Sequence, residues 1–124
     1  MRLGETAFVS LVAEALQDVP ASFARYLDGV LIEVEPEPDR RTCRDTHTDD
    51  PRGLLGLYRG RPRTRRSIDD EASLPDRITL YQRNIERMCR TREQIIREVR
   101  TTVFHEVGHH FGLEEEDLIA LGYE

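Results

Sequence analysis

The segment from Thr91 to Gly112, TREQIIREVRTTVFHEVGHHFG, constrains the fold more than any other part of the chain. Ile95, Ile96, Val99, Val103, Phe104 and Val107 recur at three- and four-residue spacing, the apolar stripe of a helix packed on a core. Thr91 offers a hydroxyl cap with Gln94 three residues on, and Gly112 accepts the left-handed conformation that ends many helices. The pattern predicts one long helix ending at His110 or Phe111. Three of the chain's four histidines, His105, His109 and His110, fall near its end beside Glu106.

The rest of the chain supplies partners for that stripe. Phe8, Leu11, Val12, Ala15 and Leu16 predict a leading amphipathic helix over 3–18, stopped by Pro20, with a short second helix over 21–27. Gly29 then opens Val30-Leu31-Ile32-Glu33-Val34, which reads as a strand, and Pro36 and Pro38 close it. Residues 35–53 are polar and read as a long loop. Leu54–Tyr58 and Arg77–Tyr81 are two further strand candidates, and Glu114–Leu121 a last short helix. This order predicts an α+β fold, one domain over residues 1–124, with a small sheet packed on helices.

Composition narrows the classes of partner. A formal charge of −6 argues against general affinity for nucleic acid or anionic membrane. The basic stretch Arg59–Arg66, RGRPRTRR, is answered by Asp69-Asp70-Glu71 and reads as a solvated loop. No apolar run is long enough to span a bilayer, and Met1–Glu5 lacks the apolar core of a secretory signal, so the cytoplasm is the expected location. All basic residues are arginine, which fits the codon bias of a high-GC bacterial genome. Cys43 and Cys89 are expected as free thiols.

The histidines carry the chemistry. Residues four apart on a helix lie one turn up and only about 40° around, so His105 and His109 aim two imidazoles at one point. That suits two ligands of a tetrahedral Zn2+. Glu106, on the flank of that face, is placed to act as general base on a zinc-activated water. Chance occurrence of His-Glu-x-x-His in such a composition is on the order of one in a hundred. A third ligand is expected after the Gly112 turn: Glu115 first, six residues beyond His109, with Glu114, Glu116 and Asp117 as rivals. His110 points about 100° away from His109, which suits packing rather than ligation. Tyr58, Tyr81 or Tyr123 is a candidate donor to a developing oxyanion. The strand at Arg77–Tyr81 is either a cleft edge that pairs with an extended peptide or an ordinary edge strand.

His105 through Leu113, HEVGHHFGL, resembles the minimal zincin-like metallopeptidase family of short bacterial proteins. The similarity is strongest from Thr91 onward, with a weaker echo in the leading helix and the Gly29–Val34 strand. The resemblance implies a zincin-like fold: a small mixed sheet, a C-terminal active-site helix and a cleft along the sheet's edge. It also implies an acidic third ligand six residues after the second histidine, which here is Glu115. The expected activity is zinc-dependent hydrolysis of a peptide or protein substrate. The alternative is a non-catalytic metal-binding module that holds a protein partner.

Overall fold

The computed structural model describes residues 1–60 and 75–123. Among them are six α-helices and a three-stranded mixed sheet. Helix α1 (Glu5–Gln17) leads into α2 (Ala21–Ala24), whose last turn tightens into a 3-10 turn at Arg25–Leu27. Strand β1 (Leu31–Glu35) is followed by α3 (Arg40–Asp45), a 3-10 turn at Pro51–Gly53 and β2 (Gly56–Arg59). Strand β3 (Arg77–Tyr81) runs directly into α4 (Gln82–Arg87); the long α5 (Arg92–Phe111) and short α6 (Glu115–Ala120) complete the order. The Arg59–Arg66 stretch lies, from Arg61 onward, outside the described residues, as does Asp69-Asp70-Glu71.

The sheet order is β1-β3-β2, with β1 parallel and β2 antiparallel to β3. Strand β3 is therefore central, which corrects its reading as an edge. Its alternation suggested one wet face, yet Ile78, Thr79, Leu80 and Tyr81 are all buried. Register explains both faces. Ile78 and Leu80 align with Ile32 and Val34 on one side and with Tyr58 and Gly56 on the other, and this face packs on α5. On the opposite face α3 brings up Thr42, which accepts a hydrogen bond from Arg59 Nη2 at 2.7 Å. The stretch 35–53 is thus partly helical: Asp39 caps α3 by accepting the Thr42 N–H at 2.7 Å, a short-range signal with no apolar periodicity to announce it.

Helix α5 organises the interior. Ile95, Val99, Val103, Phe104 and Val107 are fully buried, meeting Phe8, Leu11, Val12 and Ala15 of α1 on one side and β2 and β3 on the other. Both ends follow the expected chemistry. Thr91 accepts the Gln94 N–H at 3.1 Å, while Gln94 Oε1 reaches back to the Arg90 N–H at 2.6 Å. Gly112 takes φ 67°, and the Leu113 N–H returns to Gly108 O at 2.8 Å, the six-to-one bond of a Schellman stop.

Helix α4 had no counterpart in the periodicity, because long-range polar contacts hold it. Asn84 Nδ2 donates to Pro51 O and Leu54 O at 2.7 and 2.6 Å. Glu86, only 3 % exposed, accepts from the Leu3 N–H, Gln82 Nε2 and Arg83 Nη1 at 2.9, 3.0 and 2.6 Å. Burial pushes its carboxyl up, but the hydrogen bonds from Gln82, Leu3 and Arg83 outweigh it and hold the pKa below the usual value. A carboxyl depressed on folding adds stability above its unfolded pKa, and that stability is lost as pH falls through the folded pKa. Glu86→Gln should therefore lower the melting temperature by about 5–10 °C at pH 7, a loss of about 1–3 kcal/mol. The gap to wild type should close below about pH 4. A pH-independent gap would locate the effect in packing rather than charge.

Candidate active site

The last two turns of α5 lie where three elements meet. Strand β2 forms the sheet edge beside the helix, and α6 crosses it at Gly108. That crossing is close: a Cβ at Gly108 would stand 3.1 Å from Leu118 Cδ1, so the buried Leu118 would have to shift. The left-handed turn at Gly112 and the Gly108–Leu118 contact together set where the acidic run 114–117 begins.

Glu106 is the most constrained polar group of the site. Its Oε1 accepts the backbone N–H of Tyr58 at 2.9 Å, joining the helix to the free edge of β2 across 48 residues of sequence. Burial raises its pKa; the Tyr58 hydrogen bond and the charges of His109 and His105 pull the other way. Both histidines are therefore close enough to sense the Glu106 carboxylate. His105 is half-buried with its ring 5.1 Å from Tyr123, and His109 is exposed. Two imidazoles one turn apart, flanking a half-buried carboxylate, are a donor set that fits zinc.

The third donor is not brought to them. Among the described residues no group of three or more His, Cys, Asp or Glu could hold a metal ion. Glu115 sits exposed in the first turn of α6. Of its rivals, Asp117 is committed elsewhere, accepting the Glu114 N–H at 2.8 Å. The side chains of Glu115 and Glu116 form no hydrogen bond or ion pair among the described residues.

The three tyrosines part company. Tyr58 donates its hydroxyl to Asp76 Oδ2 at 2.9 Å, and burial, with that bond and the Asp76 charge, pushes its pKa up to about 12. Tyr81 is fully buried in β3. Tyr123 alone lies against a site histidine. His110 stacks on Tyr58 at 3.9 Å and 18°, the packing role its direction on the helix implied. It also lies over Gly60, where a Cβ would stand 3.1 Å from His110 Cε1. The Tyr58 N–H, Asp76 and Gly60 were not singled out in the sequence. Only the pairing of β2 with β3 brings them to α5, and no local pattern reports it.

A family model described as zincin-like metallopeptidase matches residues 27–123, and the chain belongs to that family. The α+β fold, with its small mixed sheet and late histidine-bearing helix, agrees with that membership. Membership points to zinc-dependent hydrolysis as the general chemistry of the site. No curated protein matches the chain. No helix among the described residues is long and apolar enough to cross a membrane.

Proposed function

We propose that the chain is a zinc-dependent peptidase in which Glu106 is the general base, with peptides or proteins as substrates. The observation that carries this reading is the setting of Glu106: a half-buried carboxylate between His105 and His109, held at one oxygen by the Tyr58 N–H. His105 and His109 would hold the metal, with Glu115 as third ligand, since Asp117 is occupied in the α6 cap. When bound, zinc supplies a Lewis acid that polarises the scissile carbonyl and makes water easier to deprotonate.

The remaining work falls to the chain's own groups. The Tyr58 N–H fixes Glu106 Oε1, so the carboxylate is oriented before substrate arrives. Oε2 forms no hydrogen bond among the described residues and is the atom that takes the proton of the attacking water. Burial makes this carboxylate a stronger base than one in solvent, and it returns the proton to the leaving amine. Tyr123, beside His105, is the tyrosine placed to donate to oxygen charge developing on the carbonyl. Among the described residues no strand pairs with the other edge of β2, where the Tyr58 N–H is taken by Glu106, so an extended peptide can align there through the remaining backbone groups.

The first test is metal content. Protein prepared without chelator should carry one equivalent of zinc, and His105→Ala/His109→Ala should carry none. Equal metal in both would remove these histidines from the site. The exposed position of Glu115 favours a second reading, a metal-binding module that holds a protein partner without turnover. Stoichiometric zinc without cleavage of any member of a broad peptide library would select it.

A further inference from the structure

Helix α5 bears a second chemical feature one to two turns before His105. Arg97, Arg100, Thr101 and Phe104 line one wall of a cavity of about 370 Å³. The C-terminal turn supplies the other wall. Gly122, at φ 106°, lies so close to Pro20 that a Cβ there would meet the proline ring at 2.3 Å, so only glycine lets the chain fold down here. The Tyr123 N–H returns to Leu118 O at 2.9 Å, which places its ring 5.6 Å from Phe104 and 5.1 Å from His105. Tyr123 is thus a wall shared by this cavity and the catalytic helix face.

The cavity is lined by more positive than negative charge. Arg83 and Arg87 are answered by Glu86 and Glu37, both at 2.6 Å, and the cavity's two arginines have no such partner among the described residues. The Arg97 guanidinium has no hydrogen bond or ion pair among the described residues. Arg100 donates Nε to Ala15 O at 3.2 Å and forms no ion pair among them. Asp18 also lines the cavity but stands beyond 4.0 Å of either guanidinium, so two cations face one carboxylate in a chain of net charge −6. Two forked donors and the Thr101 hydroxyl beside the half-buried ring of Tyr123 suit a carboxylate on a short aliphatic stem.

The geometry points to a subsite that binds a carboxylate of the substrate, so that the peptides selected are those carrying an acidic group near the scissile bond. This rests on the peptidase reading above. Helical rise puts Arg100 about 7.5 Å and Arg97 about 12 Å along the axis from His105. An extended peptide advances about 3.3 Å per residue, so the carboxylate lies two to four residues from the bond cut. Either an aspartate or glutamate side chain or a chain's own C-terminal carboxylate meets that description.

The test uses the full chain with Glu106→Gln, uniformly labelled with 15N and free of zinc, so that neither cleavage nor metal capture of the carboxylate contributes. Four N-acetylated alanine-based octapeptides serve as probes: a free C-terminal carboxylate, the C-terminal amide, the amide with one internal Glu, and the amide with Gln in its place. Amide shifts at Thr101, Gly122 and Tyr123 are followed by titration. At least one carboxylate peptide should bind about tenfold tighter than its neutral twin, with the shifts at these residues. Which of the two does so identifies the source. Arg97→Gln/Arg100→Gln should erase the preference. Arg97→Gln alone leaves the Arg100–Ala15 bond intact and should reduce it, should the double variant fail to fold. Equal affinity for all four peptides, or preference undiminished by Arg97→Gln, overturns the subsite. Cleavage assays separate the two readings. Discrimination without cleavage leaves the carboxylate site and removes the hydrolase. Cleavage of neutral amidated peptides at undiminished kcat/KM leaves the hydrolase and removes the site.

Discussion

Glu106→Gln is expected to lower peptide hydrolysis by about 10²–10⁴-fold while leaving zinc content and fold unchanged. The substitution is nearly isosteric, and its amide oxygen can still accept the Tyr58 N–H that Oε1 accepts at 2.9 Å. The link between β2 and α5 therefore survives. What is lost is proton acceptance, since an amide has no useful basicity near neutral pH. Burial raises the pKa of Glu106 in the native chain, so the variant also removes the cost of holding a desolvated carboxylate. Its thermal stability without metal at pH 7 should equal or exceed that of wild type. Single-turnover cleavage, zinc content and a melting curve on the same preparation decide the matter. Retained turnover would move the base elsewhere, and lost zinc would mean that Glu106 also shapes the ligand set.

How far the sequence announced this arrangement depends on the range of the forces involved. Helix α5 was legible because its signals are local: the Thr91 cap, an apolar stripe of six residues of which five are fully buried, and the Gly112 stop. The pair His105 and His109 followed from helical spacing alone. What escaped was set by contacts distant in sequence. The central place of β3 needs parallel pairing with β1 and burial of Thr79 and Tyr81 on the face that α3 covers, and neither leaves a periodic trace. Helix α4 is fixed by Asn84 and Glu86 reaching residues 30 and 83 positions away. The Tyr58 N–H that orients Glu106 is a backbone group, invisible to any reading based on side-chain type. Glu115 marks the other limit. Spacing chose it, but a ligand must also be aimed, and its exposed place on α6 does not bring it to the histidines.

Phe104→Ala should be the most destabilising single substitution near the site. Phe104 is fully buried, its ring stacked on Phe23 at 3.8 Å and 17° and lying 5.6 Å from Tyr123. It ties α5 to α2 and to the C-terminal turn at once. Truncating a buried phenylalanine to alanine costs about 3–5 kcal/mol in lost transfer energy and cavity formation. A domain of this size has about 5–15 kcal/mol in all, so the urea midpoint should fall by a third or more and the melting temperature by about 10–20 °C. The neighbouring residue is His105, and Tyr123 would lose one of the two rings it rests on. If the site depends on this packing, zinc affinity should weaken at temperatures where the fold is still intact by circular dichroism. Phe104→Leu, which refills much of the volume, should restore most of the affinity and part of the stability. Zinc affinity unchanged in Phe104→Ala, despite the lost stability, would mean that the histidine pair is positioned by the backbone of α5 alone. The hydrophobic layer beneath would then serve the fold and not the metal.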